Sequence, residues 1–154
     1  MTAAYFQHLA DQVATFVMGA QKSLQIAVCW FSNRDIFEAL MEKVRAGVSV
    51  DLVIEYDTQN IRKEGLDFQA FIRLGGRLYA RREAGLMHHK FAIADDRKLL
   101  TGSYNWTYNS NAENILISDD PDLTKQFLEA FRQEKSIAER IFTVKREKIG
   151  RAHV

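Results

Sequence analysis

The chain has 154 residues, 47% hydrophobic and 27% charged, which is enough for one domain with a sizeable core. Its 21 Lys and Arg against 20 Asp and Glu leave a net charge of +1; this excludes attachment to nucleic acid by overall charge alone, but not a local basic groove. The single cysteine, Cys29, excludes an intrachain disulfide and a cysteine-cluster zinc site, and its apolar setting IAVCWF predicts a buried, inert thiol.

The opening MTAAYFQHLADQVATFVMGAQK spaces Phe6, Leu9, Val13, Phe16 and Val17 at helical intervals. That pattern predicts an amphipathic helix on a core, not a secretory signal. No run of about 18 apolar residues occurs, so no membrane span or stable membrane association is expected, and a cytoplasmic location is. SLQIAVCWF (23–31) reads as a strand buried on both faces. Ser32 or Asn33 then caps a helix with Ile36, Phe37, Leu40, Met41 and Val44 on its apolar face, and Gly47 stops it. VSVDLVIEY (48–56) is a second buried strand, so the β-α-β order predicts a parallel pair.

A polar loop follows at 57–65. Leu66, Phe68, Phe71, Ile72 and Leu74 suggest a helix, and RLYARRE a short strand. LMHHKFAIAD (86–95) is a strand by composition, turning tightly into an antiparallel partner, LLTGS. ENILIS (113–118) is another. The last helix has Asp120 as N-cap, Pro121 at its first position, and Leu123, Phe127, Phe131, Ile137 and Ile141 on one face. This order predicts an α/β fold: a mixed, mostly parallel β-sheet flanked by helices on both faces, in one domain over 1–142. Residues 143–154, with Lys145, Arg146, Lys148 and Arg151, form a basic tail.

Alternation in MHHKFAIAD puts His88, Lys90, Ala92 and Ala94 on one strand face and His89, Phe91 and Ile93 on the other. His88 therefore points with Lys90, while His89 travels with large apolar side chains as a packed or partly exposed histidine. After Lys90 come four residues, Asp95, six residues, then Gly102, Ser103, one residue and Asn105. This spacing resembles the signature of the phospholipase D superfamily, HxK(x)4D(x)6GSxN, with every fixed position filled. The likeness extends to Trp106-Thr107 and to Glu113-Asn114, and takes in residues 3–140.

The resemblance implies a phospholipase D-like α/β sandwich and a two-step phosphodiester hydrolysis. In it His88 attacks phosphorus to give a phosphohistidine, Lys90 and Asn105 hold the phosphate, and Glu113 orients His88. A solvated loop carboxylate remains the other reading of Glu113. The residue types suit the chemistry: an imidazole is a competent nucleophile, and an ammonium, an amide and the Ser103 hydroxyl stabilise phosphoryl oxygens. Ser103 also fits a turn hydroxyl bonded to its own backbone. Asp95 is expected to bond turn amides or a nearby lysine, Asp96 to be an exposed turn residue, and Gly102 to permit close backbone approach.

Two steps need a second imidazole as acid and base, yet the signature occurs once, and His8 and His153 have none around them. A homodimer with its active site on the twofold axis is therefore expected. Asp119–Asp122 fit a helix cap and Lys90 supplies positive charge, so no metal and no cofactor are expected. The chain most resembles short single-signature bacterial endonucleases and lacks the membrane-anchoring helix of mitochondrial relatives, although it fits a domain of a longer protein equally well. Arg77, Arg81, Arg82, Arg97 and Lys98 could track a nucleic-acid backbone, and Tyr104, Trp106 and Tyr108 could stack on bases or pack in the core and rim, packing being the favoured role of Trp106. The leading expectation is a metal-independent endonuclease with little sequence preference, acting on DNA, with action on RNA left open. The alternatives are a phospholipase or phosphatidyl hydrolase, and a non-catalytic nucleic-acid-binding module.

Overall fold

A computed structural model describes residues 1–83 and 85–145. Its strands are β1 (Thr2–Tyr5), β2 (Ser23–Val28), β3 (Ser49–Glu55), β4 (Arg77–Arg81), β5 (Lys90–Ala94), β6 (Lys98–Gly102), β7 (Ile115–Ser118) and β8 (Glu139–Ile141). The helices are α1 (Leu9–Met18), α2 (Arg34–Arg45), α3 (Phe68–Arg73) and α4 (Pro121–Ser136). The strands form one sheet in the order β1-β7-β6-β5-β2-β3-β4-β8.

Alternating side chains split the core in two. Leu24, Ile26, Val28, Ala92 and Ala94 face the layer of α1, α2 and α3. Ala27, Val53, Phe91 and Ile93 face α4 through Phe127 and Phe131. Each inner strand is thus covered on both sides, which explains its near-continuous apolar sequence. The expected mixed sheet with helices on both faces is present. Its mostly parallel character is not: β2–β3 and β3–β4 are parallel, and the other five pairings are antiparallel. Only the two crossovers through α2 and α3 return a strand in the same direction.

The apolar spacing predicts helix at both sheet edges, and the structure has strands there. The opening residues form β1, paired with β7 in the register Tyr5↔Ile115, and His8 breaks the chain direction in the left-handed region, at φ 54°, before α1 begins. Phe6 consequently stands exposed, whereas Leu9, Val13, Phe16 and Val17 are buried as expected. At the other end α4 stops at Ser136; Ile137 is exposed, and Ile141 lies on β8. The expected caps are in place: Asn33 accepts from Ile36 N at 3.0 Å and Asp120 from Asp122 N at 3.0 Å. Gly47 ends α2 at φ 89°. Of the basic tail, Arg146, Lys148 and Arg151 lie outside the described residues, as does His153.

Candidate active site

The C-terminal ends of β2 and β3, the start of β5 and the segment after β6 meet at one end of the sheet. Trp106 ties the segment after β6 to the segment after β2. Its carbonyl accepts from Ser32 N at 2.8 Å and Asn33 N at 2.9 Å, and its own N–H donates to the Trp30 carbonyl at 3.1 Å. Asn60 adds a second clasp, donating to the carbonyls of Cys29 at 2.7 Å and Glu55 at 2.6 Å and accepting from Phe31 N at 2.8 Å. Buried side-chain amides with both functions used hold loops more firmly than packing alone.

His88 is exposed on this platform. The Lys90 ammonium lies 3.0 Å from His88 Nδ1 and 3.1 Å from Nε2, and the Trp30 ring meets the imidazole edge-on at 6.2 Å. Trp30 is itself fixed by its indole N–H on Asp57, 3.0 Å away. Lys90 is only 8% exposed. Burial holds its ammonium below the ordinary lysine value, against the opposing pull of Glu113. Cys29 is fully buried, and burial pushes its thiol up to about 11, so it stays protonated at neutral pH. This agrees with the inert thiol read from its apolar run.

Asn105 accepts from Trp30 N at 3.2 Å through its side-chain oxygen, which leaves its amide N–H groups as donors. It lines an open groove of about 350 Å³ with Trp30, Asn60, Tyr108 and Glu113. Glu113 is close enough to act on the Lys90 charge, but among the described residues it makes no hydrogen bond to His88. Ser103 Oγ accepts from Asn114 N at 3.1 Å, which ties the β6 end to the segment before β7. Gly102 has no room for a side chain: an added Cβ would stand 2.1 Å from the Asn114 carbonyl oxygen.

Asp95 sits at the far end of β5. Its carboxylate accepts from the backbone N–H groups of Lys22 at 2.6 Å, Ser23 at 3.0 Å and Gln21 at 3.1 Å. It pins the start of β2 to the hairpin, whose turn residues Asp95 and Asp96 both have positive φ. Asp96 is exposed there, as expected. His89 faces α4, packing on Phe91 and lying 3.5 Å from Glu134.

Three residues expected at a ligand surface are withdrawn from it. Arg81 is 3% exposed, ion-paired with Glu134 and bonded to the carbonyls of Glu83 and Gly85. Trp106 is 0% exposed and packs edge-on against Phe31, the packing role favoured for it from the sequence. Tyr104 is also buried, its hydroxyl donating to the Thr107 carbonyl at 2.9 Å; burial pushes it up to about 12. Arg82 stays on the surface, stacked 4.3 Å over the Tyr56 ring. Sequence reading missed the supports Trp30, Glu55, Asp57 and Asn60. Asp57 and Asn60 belong to a segment read only as a polar loop, and the clasp of Asn60 spans 31 residues.

Among the described residues, no three His, Cys, Asp or Glu are grouped to hold a metal ion, and no helix is long and apolar enough to cross a membrane. Residues 13–135 match the family described as "Cardiolipin synthase, PLD-like domain". The chain is 33% identical over 129 residues to a mitochondrial cardiolipin hydrolase of Danio rerio, covering 75% of this chain and 52% of that protein. It is 35% identical over 120 residues to the corresponding protein of Xenopus laevis, covering 76% and 56%. The chain therefore spans about half the length of these curated relatives. Its fold is similar to that of Nuc, a phospholipase D family member from Salmonella typhimurium, with TM-score 0.82, 23% identity, and 93% and 99% of the two chains covered. NucT from Helicobacter pylori gives TM-score 0.81 at 19% identity over 92% of this chain and 99% of that one.

Proposed function

This chain belongs to the phospholipase D superfamily, and from that premise we propose that it is a phosphodiesterase with His88 as nucleophile and nucleic acid as substrate. The observation that carries the reading is the exposed imidazole of His88 against a largely buried ammonium, with the Asn105 amide on the same platform. A ring nitrogen of His88 attacks phosphorus while the P–O bond to the leaving oxygen breaks. Lys90 and Asn105 hold the phosphoryl oxygens as charge accumulates on them. Water then attacks the phosphohistidine, the P–N bond breaks, and the free imidazole returns.

The leaving oxygen needs a proton, and the water must give one up. His89 faces α4, and His8 lines a neighbouring groove with Tyr104 and Tyr108. A twofold axis bringing a second His88 to the same phosphate supplies the missing acid and base. In that assembly Glu113 acts on the histidine pair. The reaction is metal-independent, because Lys90 provides the cationic charge.

The names of the Danio and Xenopus relatives favour a second reading, hydrolysis of an anionic phospholipid. One experiment separates the two. Wild type and His88→Ala are incubated in EDTA with single-stranded DNA, duplex DNA, RNA and cardiolipin vesicles. Nucleic-acid cleavage lost in the variant supports the nuclease; lipid turnover alone replaces it with the second reading; abolition of wild-type activity by EDTA overturns metal independence. Light scattering tests the shared site: a fully active monomer removes it, and so does loss of activity in His8→Ala without loss of the dimer.

A further inference from the structure

The active-site end of the sheet has two further grooves, and they differ in charge. One, of about 400 Å³, lies beside β1 and α1; it is lined by Asp11, Glu113, amides and aromatic rings, with no Lys or Arg. The other, of about 420 Å³, lies where β4 and β8 form the sheet edge, lined by Tyr56, Arg82, Glu139, Arg140, Phe142 and Lys145 among others. Its three cations face one carboxylate, Glu139, which is 3.6 Å from Arg82. Arg82 stacks on Tyr56 at 4.3 Å, and Arg140 on the exposed Phe142 at 4.7 Å. Stacking holds a guanidinium plane in place while its N–H edge still reaches phosphate oxygens.

The second groove joins the site through Tyr56. That residue sits between Glu55, whose carboxylate accepts Met87 N at 3.0 Å just before His88, and Asp57, which anchors Trp30. We propose that this edge groove binds the single-stranded nucleic acid flanking the scissile phosphate, with phosphates on Arg140 and Lys145 and unstacked bases against Phe142 and the guanidinium planes. The inference rests on the nuclease reading. Alternating cations and flat rings match the repeat of phosphate and base. The groove is concave with a half-buried Tyr56 in its wall, so a flat bilayer reaches its rim and not its interior. The acidic content of the opposite groove repels a polyanion, so the strand approaches from the β4–β8 side.

The test uses the inert His88→Ala protein and fluorescence anisotropy with labelled single-stranded oligonucleotides across a salt series. Adding Arg140→Glu and Lys145→Glu weakens binding at least about tenfold and lowers the salt slope by about 1.4, at about 0.7 per lost phosphate contact. Lys125→Glu, on exposed α4 surface, is the control for a single reversal elsewhere, matched in charge to Lys145→Glu alone, and leaves binding within about twofold. Unchanged binding in the double-reversal protein overturns the proposal, as does equal weakening by Lys125→Glu. Loss of binding to cardiolipin vesicles with unchanged oligonucleotide binding also overturns it, in favour of a lipid surface. Melting curves confirm the fold, and Lys145→Glu alone serves if the double reversal does not fold. Cleavage by wild type is scored separately: binding that depends on the groove with no nucleic-acid cleavage keeps the groove and removes the nuclease reading.

Discussion

The two ends of β5 carry residues of one motif under opposite conditions. At its start, His88 is exposed and its ring meets the Lys90 ammonium. At its end, Asp95 spends its carboxylate on three backbone N–H groups of the chain entering β2. A strand rises about 3.3 Å per residue, so the two side chains stand on the order of 20 Å apart in one chain. Asp95 is thus tied into the fold at a distance from the imidazole beside it in the motif. A fixed spacing can record a strand length between a reactive end and a folding end, and the residues need not form one site.

Substitutions at the two ends sharpen this contrast. The largest effect falls on activity: His88→Ala lowers phosphodiester turnover by at least about 10³-fold. Because the side chain is exposed, the melting temperature stays within a degree or two of wild type. A large drop in melting temperature would break the contrast from the reactive side. Gly102→Ala comes next and tests whether the site end is also structural. Its new Cβ meets backbone atoms of Asn114 and Ile115, so stability falls by roughly 3 kcal/mol or more in urea unfolding. Asp95→Ala removes the acceptor of three amides and puts a poor residue in the left-handed region, lowering stability by about 2 kcal/mol. Its kcat at 15 °C, where the variant remains folded, stays within about twofold of wild type; a drop as large as that of His88→Ala would join the two ends into one site.

What the sequence made legible follows the same division. The faces of β5 could be read by alternation: Phe91 and Ile93 pack toward α4, and Ala92 and Ala94 toward the other layer. Local caps such as Asn33 and Asp120 were equally plain, because their partners lie two or three residues away. Failures came where the partner is remote. Thr2–Tyr5 is a strand only because β7 lies more than a hundred residues on, and β8 continues an apolar spacing that suits a helix until β4 offers it an edge. Arg81 looked like a surface cation because its counter-ion, Glu134, is 53 residues distant. Trp30 and Asn60 escaped notice since neither stands in the motif, and both act by holding backbone that the motif residues depend on.

The smallest effect, and the most specific to one end of β5, is a dependence on pH. Burial alone would raise the Asp95 carboxyl, but the N–H groups of Lys22, Ser23 and Gln21 outweigh it and hold the group below the ordinary aspartate value. A folded value below the unfolded one adds stability that is present above the unfolded value, near 3.9, and is lost as pH falls through the folded one. Asp95→Asn keeps an acceptor and tolerates the left-handed backbone, yet carries no charge. Its deficit against wild type, about 1 kcal/mol by urea unfolding, is therefore flat from pH 7 to about pH 5 and shrinks below about pH 4. The Asp119 carboxylate is also held low, by the chain's amino terminus, but it is common to both proteins and cancels in the difference. A deficit that stayed constant down to pH 3 in folded protein would mean that charge at Asp95 is not what pins β2 to the hairpin, and the folding end of β5 would rest on shape alone.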